Sequence, residues 1–395
     1  MSEKVYFKNL HGFRFLAAAL VILSHIELFK KRVSISNLWD TPFFFEAGSA
    51  GVDFFFVLSG FLITTLLLKE IEKIGTIDVR KFYMRRILRI WPLYYLVILI
   101  CYFIIPHLDA FYISGYSEAL HVDFFRKLIF SIFFMPNAAL SFFGEIPYAA
   151  PLWSVGVEEQ FYLFWPLLML LPVKRIRLIG IFILSFIAIK VVLVLSGRYI
   201  EINANTFEKI KNLVVATRME CMGIGALGAC LIYNKSSLGT LASSNLALWT
   251  ALVLLPFVIY RIDLFFELHH IVLSLIFLVI ILNGATNSRT PISLEHRIFI
   301  TMGNISYGLY LWHCLCIGLL LNILRSFGLH LSSSLAFNVL LYIGTFGLSI
   351  LVSWVSYRYF ESVFLARKRK YSLVLSGPEV KDEGIQNNNN PTTIY

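Results

Sequence analysis

The chain has 395 residues, of which 58% are hydrophobic and 15% are charged, and its mean hydropathy is +0.75. Soluble domains are about 45–50% apolar and about 25% charged, so this composition excludes a soluble protein and indicates an integral membrane protein. The net charge of +10 is expected to set orientation and to meet anionic membrane lipid, and it does not predict nucleic-acid binding.

Ten apolar runs are long enough to cross a bilayer as helices, which takes roughly 17–25 residues each. They lie at residues 12–29, 50–68, 88–105, 152–172, 177–195, 213–233, 246–261, 268–284, 303–324 and 335–359. The sequence therefore predicts an all-α integral membrane protein, a bundle of about ten transmembrane helices. A weaker run at 124–141 contains Pro136 and predicts an interfacial or re-entrant helix, with an eleventh span as the alternative.

Basic side chains concentrate in alternate loops. With ten spans, the loops after the second, fourth and eighth runs lie on the same side as the segment after the tenth, and all are rich in Lys and Arg. The positive-inside rule makes that side cytoplasmic and places both termini there. We expect residues 1–365 to form one membrane domain and residues 366–395 to form a disordered cytoplasmic tail, basic and then polar.

The first apolar run carries two ionisable residues, Arg14 and His25. They are eleven positions apart, which at ~100° per residue brings them within about 20° of one face and roughly 16 Å apart along a helix. The stripe between them contains only apolar residues, Ala18, Val21 and Ile22. Because ionisable groups inside a membrane are costly and usually face a polar interior, this run predicts a functional site.

Two carboxylates are predicted to reach the depth of His25. Asp53 enters the second run from the outer side within GVDFFFVLSGFL, and Glu158 enters the fourth from that side within WSVGVEEQFYLFWP. A carboxylate bonded to His25 would fix its tautomer and raise its basicity, as a general base requires. The alternative is that both carboxylates only form structural ion pairs. Glu159 lies ~100° from Glu158 around the helix, so at most one of them faces this pocket.

A second group of ionisable residues is predicted at the cytoplasmic side. Arg86 and Arg89 lie one turn apart in MRRILRIWP, at the start of the third run, and Arg14 points toward the same entrance. Guanidinium groups at this spacing suit phosphate oxygens. The alternative is that these arginines only reflect the positive-inside rule.

Three further patterns bear on the chemistry. His313 lies within an apolar run and is as typical of a hydrogen-bonded core histidine as of a catalytic one. The remaining histidines lack metal-ligand spacing, so no metal site is predicted. The glycines of residues 51–62 predict close helix packing.

These stretches together resemble the acyltransferase-3 family of integral membrane O-acyltransferases. The resemblance spans roughly residues 8–362 and rests on five motifs in the family's order. They are the spacing of Arg14 and His25, GVDFFFVLSGFLI, the Arg-x-x-Arg of RRILRIWP, WSVGVEEQFYLFWP and ISYGLYLWH. The resemblance implies that His25 is the catalytic histidine and that Glu158 belongs to the essential set. It also implies that Arg14, Arg86 and Arg89 are the basic residues on the side of coenzyme A.

The same resemblance implies a bundle of about ten helices, a cytoplasmic acyl-CoA donor, usually acetyl-CoA, and a carbohydrate hydroxyl as acceptor. We therefore expect a bacterial inner-membrane O-acetyltransferase that acts on a cell-surface or lipid-linked glycan such as O-antigen, lipopolysaccharide or exopolysaccharide. The sequence does not select among these acceptors, peptidoglycan and a small glycoside. The thioester arm is predicted to run along the stripe between Arg14 and His25, and His25 is predicted to deprotonate the acceptor. The alternative function is a transporter or flippase for a sugar or a lipid-linked glycan.

Overall fold

The computed structural model describes residues 4–196, 204–261, 268–329, 334–371 and 375–376. Within these residues the chain is almost entirely helical, which confirms the all-α prediction. The strand pairing found there is a two-residue parallel contact between β1 (Lys4–Val5) and β2 (Leu375–Ser376). This contact brings the two ends of the described chain to the same end of the bundle.

Sixteen α-helices are assigned within the described residues. They are α1 (Leu10–Arg32), α2 (Pro42–Ile74), α3 (Val79–Leu99), α4 (Phe124–Ile132), α5 (Pro136–Phe143), α6 (Leu152–Met169), α7 (Arg175–Ser196), α8 (Ala204–Thr217), α9 (Met219–Tyr233), α10 (Ser237–Ala242), α11 (Asn245–Tyr260), α12 (His269–Thr286), α13 (Arg297–Asn304), α14 (Ser306–Ser326), α15 (Ser334–Ser356) and α16 (Ser362–Lys368). Short π-helical and 3-10 turns follow α3 and α15 or lie in the loop before α4, at Ile100–Ile104, Ile105–His107, Asp109–Phe111, Ser117–Leu120, Tyr357–Glu361 and Arg369–Tyr371.

Eight helical segments of the described chain are long and apolar enough to cross a membrane. They are Leu10–Arg32, Pro42–Ile74, Val79–His107, Arg175–Ser196, Asn205–Tyr233, His269–Thr286, Ser306–Ser326 and Leu335–Lys368. The chain is therefore a multi-pass membrane protein. The count of ten stays a prediction. A count of ten would require α6 and α11 to span the membrane as well. The hydropathy of α6 is reduced by Glu158, Glu159 and Gln160, and α11 has only 16 residues.

The weak run at 124–141 forms two short helices rather than one span. Helices α4 and α5 have nine and eight residues, or about 12–14 Å each, against a hydrocarbon core of about 30 Å. Gln160 of α6 holds the break between them, since its Nε2 donates to the Phe134 carbonyl at 2.8 Å. The broken geometry supports the interfacial or re-entrant interpretation of this segment.

Close packing of α2 against α9 depends on glycine, as the sequence predicts. A Cβ atom at Gly60 would lie 1.9 Å from the Met222 carbonyl oxygen, and one at Gly225 would lie 2.0 Å from that of Val57. The two backbones therefore approach each other at positions where only glycine fits. Helix α1 packs against α2 on one side and against α13 and α14 on another, which places it at the centre of the site.

The C-terminal segment is ordered beyond the predicted start of the tail at residue 366. Helix α16 continues to Lys368, and the carbonyl of Tyr371 accepts a hydrogen bond from Arg85 Nη1 at 2.9 Å. The remaining tail residues, apart from 375–376, lie outside the described residues. The division into a membrane domain and a disordered tail therefore stays a prediction.

Candidate active site

A cavity of about 440 Å³ lies between α1, α2, α3, α6, α14 and the C-terminal segment 357–368. Basic side chains outnumber acidic ones in its lining, since four arginines and one lysine face three glutamates. The charged side chains and the histidine are Arg14, Arg85, Arg86, Arg89, Lys368, Glu70, Glu158, Glu361 and His11, and the hydroxyl groups of Ser59, Ser154, Tyr162 and Tyr310 are among the neutral polar groups. The structure thus brings together the three arginines that the sequence grouped, Arg14, Arg86 and Arg89, in one half-enclosed space.

These three arginines differ from their neighbour Arg85 in how their charge is balanced. Arg85 forms an ion pair with Glu70 at 2.9 Å. Arg14, Arg86 and Arg89 form no ion pair with a carboxylate in the described part of the chain, and the buried Nε of Arg86 has no hydrogen-bond partner there. Because a guanidinium withdrawn from water gains most from a bidentate anion, this arrangement fits a ligand that carries phosphate or carboxylate groups.

Glu158 lies in this cavity rather than beside His25. The hydroxyl groups of Ser59 and Tyr162, which are hydrogen-bonded to each other, line the cavity beside Glu158, and the cations that act on Glu158 are Arg14, Arg86 and Arg89. Glu159 is turned away and accepts a hydrogen bond from Trp91 Nε1 at 2.7 Å. Only one of the two adjacent glutamates therefore faces the cavity, as their ~100° offset predicts.

Ser154 and Tyr310 line the cavity on the side nearer to the histidines. Their hydroxyl oxygens are 2.6 Å apart, joining α6 to α14. The ring of Tyr310 lies with its centroid 6.0 Å from that of His313, one turn further along α14. The cavity thus ends within one residue layer of an imidazole.

His25 and His313 form a pair above this layer. Nδ1 of His25 is 2.7 Å from Nε2 of His313, and their rings are nearly parallel and meet edge to edge, with centroids 4.9 Å apart and an interplanar angle of 21°. His313 is fully buried, whereas His25 is half-buried. No hydrogen bond joins His25 to Asp53 or Glu158 among the described residues, so the predicted carboxylate partner of His25 is wrong.

Asp53 belongs to a separate buried cluster. Its Oδ1 accepts from Arg218 Nη1 at 3.0 Å, and its Oδ2 is 2.7 Å from Nδ1 of His270. Arg218 also donates to the hydroxyl of Ser49 at 3.0 Å. Both carboxylate oxygens are therefore engaged between α2, α9 and α12, and the structural ion-pair alternative describes the surroundings of Asp53.

The predicted route for a thioester arm is closed. Ala18, Val21 and Ile22 are 0–1% exposed, and Ala18 packs against Ile305 and Leu309. The open volume instead passes along the face of α2 that includes Val52, Phe55 and Phe56. The prediction that the arm follows the α1 stripe is wrong, because the stripe packs tightly against α2 and against the start of α14.

His313, Cys314 and His25 bring three potential metal-ligand atoms within 4.8 Å of one another. The separation of 2.7 Å between the two ring nitrogens is that of a hydrogen bond, whereas two nitrogens on one tetrahedral zinc lie about 3.3 Å apart. The arrangement as it stands fits a hydrogen-bonded pair better than a metal site. The expected absence of a metal stays a prediction.

Sequence reasoning missed Tyr310 and Ser154 and left His313 undecided. Tyr310 and His313 are three residues apart in ISYGLYLWH, a spacing that puts both on one face of a helix. That spacing was the available signal. Its meaning depends on which face α14 turns toward α1, and an apolar helix does not encode this in its own sequence.

Comparisons with known proteins identify the family of the chain. A sequence model of the acyltransferase-3 family, described as an acyltransferase domain, matches residues 7–358. The peptidoglycan O-acetyltransferase OatA of Listeria monocytogenes is 28% identical over 342 residues, which cover 79% of this chain and 49% of that protein. A Staphylococcus aureus protein provisionally named as an O-acetyltransferase is 25% identical over 390 residues, covering 91% of this chain and 57% of that protein.

A Bacillus subtilis protein, provisionally named as a peptidoglycan O-acetyltransferase, is 34% identical over 170 residues, which cover 41% of this chain and 23% of that protein. The chain spans about half the length of the Listeria and Staphylococcus relatives. No solved structure matches it. Because the family match covers residues 7–358 of the 395, the chain belongs to the acyltransferase-3 family.

Proposed function

We propose that this protein is a membrane O-acetyltransferase that moves an acetyl group from acetyl-CoA, or another acyl group from its CoA ester, to a carbohydrate hydroxyl. The observation that carries the proposal is the continuity from Arg14, Arg86 and Arg89, through the cavity, to Tyr310 and the His25–His313 pair. Unpaired guanidiniums suit the phosphates of coenzyme A. The rest of the cavity offers its pantetheine arm a path toward an imidazole.

The end of the bundle that carries the arginines is proposed to face the cytoplasm, where acyl-CoA is available. The basic residues Lys174, Arg175 and Arg177 lie at the same end, at the start of α7, which the positive-inside rule favours for the inner face. The His25 end then faces outward, toward a glycan acceptor. The bacterial origin of the similar proteins supports insertion in a bacterial inner membrane.

In the proposed reaction, the free ring nitrogen of His25 takes the proton of the acceptor hydroxyl. The oxygen attacks the thioester carbonyl, a C–O bond forms and the C–S bond breaks. The proton then passes from His25 to the departing thiolate of coenzyme A. A covalent acyl-histidine intermediate is an alternative sequence of the same two transfers. Glu158, inside the arginine cluster, is proposed to order the donor rather than to orient His25.

Peptidoglycan is the acceptor class favoured by two of the similar proteins, because their names specify peptidoglycan. O-antigen, lipopolysaccharide and exopolysaccharide offer the same chemistry, an exposed sugar hydroxyl. Muropeptide and polysaccharide mass spectrometry of cells with and without the gene distinguishes them. An acetyl group (+42 Da) confined to one glycan would identify the acceptor.

The donor assignment is tested with purified protein in lipid nanodiscs and radiolabelled acetyl-CoA. Arg86→Ala and Arg89→Ala are each expected to weaken acetyl-CoA binding by about tenfold or more, since each removes a charge-assisted contact to phosphate. Arg177→Ala is the matched control, because Arg177 is exposed at the same end and does not line the cavity. Equal affinity of all three variants would refute the proposed donor site.

The acid–base assignment is tested by His25→Ala, which should abolish acetyl transfer while leaving acetyl-CoA binding and membrane insertion intact. The same preparation separates an acyltransferase from the alternative transporter. Glycan movement across sealed vesicles that does not require acyl-CoA, together with an absence of acetylated product, would favour a transporter or flippase.

A further inference from the structure

The ring nitrogens of His313 have different partners. Nδ1 lies 3.2 Å from the carbonyl oxygen of Leu309, four residues earlier in α14, and Nε2 lies 2.7 Å from Nδ1 of His25. The fully buried ring is therefore held between its own helix and α1. Such a ring cannot turn to exchange its two nitrogens without losing both contacts.

These contacts determine where the protons are. A carbonyl oxygen only accepts, so Nδ1 of His313 carries the hydrogen, and in a neutral imidazole Nε2 is then an acceptor. The short contact to His25 therefore requires His25 Nδ1 to donate. A second proton on the pair would place an uncompensated positive charge inside the bundle, which is costly. His25 is left with its lone pair on Nε2.

We propose that His313 is a positioning residue that holds His25 in the Nδ1–H tautomer and thereby makes Nε2 of His25 the base. This inference rests on the proposed acyl transfer and deepens it. It assigns to a second histidine the role that the sequence gave to a carboxylate. The base is then aligned by a neutral partner, so the pair carries no net charge until it accepts the proton of the acceptor hydroxyl.

Cys314 lies beside the His25–His313 pair and suggests two other roles for these three residues, a metal site or an activated thiol. Its Sγ lies 3.5 Å from His25 Nδ1 and 3.4 Å from His313 Nε2, so it could be a metal ligand or a nucleophile paired with an imidazole. The side chain is 1% exposed, and the hydrogen bond between the imidazoles already occupies the nitrogens that would bind a metal or activate the thiol. We therefore assign Cys314 to packing, and Cys314→Ala is expected to retain acetyl transfer.

The kinetic experiment compares His313→Gln, His313→Phe and Cys314→Ala in nanodiscs with acetyl-CoA and the acetylatable glycan. Gln can place an amide oxygen near the position of Nε2 and accept from His25, whereas Phe fills the space without an acceptor. We expect His313→Phe to lower kcat by about 10²–10⁴-fold, the range for losing the correct tautomer of a catalytic base. His313→Gln should recover to within about tenfold of wild type, with acetyl-CoA affinity unchanged in both variants.

A spectroscopic measurement tests the tautomer without requiring any turnover. In ¹⁵N-histidine-labelled protein, the His25 resonances are assigned by their loss in His25→Gln, and their shifts report which nitrogen carries the proton. Wild type is expected to show protonated Nδ1 and unprotonated Nε2, and His313→Phe to show a mixture of tautomers. Size-exclusion chromatography confirms that each variant is folded.

The outcomes separate this inference from the proposed function. A wild-type His25 with protonated Nε2 would overturn the inference, as would equal loss of kcat in the Gln and Phe variants. Loss of activity in Cys314→Ala, or inhibition of wild type by chelators, would overturn it in favour of a thiol or metal mechanism. Failure of folded wild-type protein to transfer acetyl groups, with His25 in the Nδ1–H tautomer, would refute the proposed function and leave the tautomer assignment supported.

Discussion

Substitution of Asp53 distinguishes a structural role from a catalytic role for this buried carboxylate. The Asp53→Ala substitution removes a fully buried group whose oxygens contact Arg218 at 3.0 Å and His270 at 2.7 Å. Arg218 Nη1 would keep the Ser49 hydroxyl as its polar contact, with no carboxylate to balance the charge. Breaking a buried ion pair on one side costs about 3–5 kcal/mol.

The expected result is a loss of stability with chemistry preserved. On the entropy scale of globular proteins, about 2.1 cal/mol/K per residue, a chain of 395 residues unfolds with about 0.8 kcal/mol/K, so the melting temperature should fall by roughly 4–6 °C. The assay is size-exclusion chromatography of detergent-solubilised protein after heating, followed by acetyl transfer measured per folded molecule. That specific activity should stay within about threefold of wild type, because Asp53 does not contact His25.

A double variant sharpens the interpretation. Asp53→Ala with Arg218→Met removes both members of the ion pair and leaves no unpaired charge, so it should be more stable than Asp53→Ala alone. The reasoning is refuted if Asp53→Ala keeps its melting temperature and loses acetyl transfer. That result would return Asp53 to the chemical role that the sequence predicted for it.

Two further predictions concern packing and the loop near His25. Gly60→Ala should lower the free energy of unfolding by about 3 kcal/mol, because its Cβ would meet the Met222 carbonyl at 1.9 Å. Gly180→Ala meets nothing within 4 Å inside α7, so it should be neutral or stabilising by up to about 1 kcal/mol. Thermal unfolding compares the two variants. Arg32 forms a bidentate pair with Glu145 at 2.5–2.6 Å, tying the end of α1 to the loop before α6. Charge reversal at either residue should weaken stability and acyl transfer, and the swapped double variant should recover about 1 kcal/mol of coupling in a double-mutant cycle; additive effects would contradict a role for this pair.

The membrane-spanning character of the chain could be predicted because a helix in lipid must be apolar along most of its length. The ends of the individual helices were predicted less accurately. The predicted run at 213–233 is broken at Arg218, which has φ 44° and separates α8 from α9. A left-handed backbone conformation is energetically costly for a residue other than glycine. The contacts of Arg218 with Asp53 and Ser49 stabilise this conformation. Such a long-range compensation leaves no mark in local sequence.

The arginine side of the site was easier to predict than the histidine side. Arg14, Arg86 and Arg89 converge on one cavity because basic residues near one end of neighbouring helices share a depth. Depth follows from position along each span, so it can be counted in sequence. The partner of His25 depends instead on the rotation of each helix about its axis, and His313 was identified only when α14 was seen to face α1.

Helix α2 shows why two residues at the same depth in the membrane need not lie in the same site. Asp53 and Ser59 are six residues apart, so at ~100° per residue they lie about 120° from each other around the axis. Ser59 lines the cavity beside Glu158, and Asp53 must therefore point toward a different neighbour, where it meets Arg218 and His270. The helical periodicity alone therefore shows that the side chains of Asp53 and Ser59 cannot both point into one pocket. Which of them would face it was decided by the glycines that seat α2 against α9, since that contact fixes the rotation of α2.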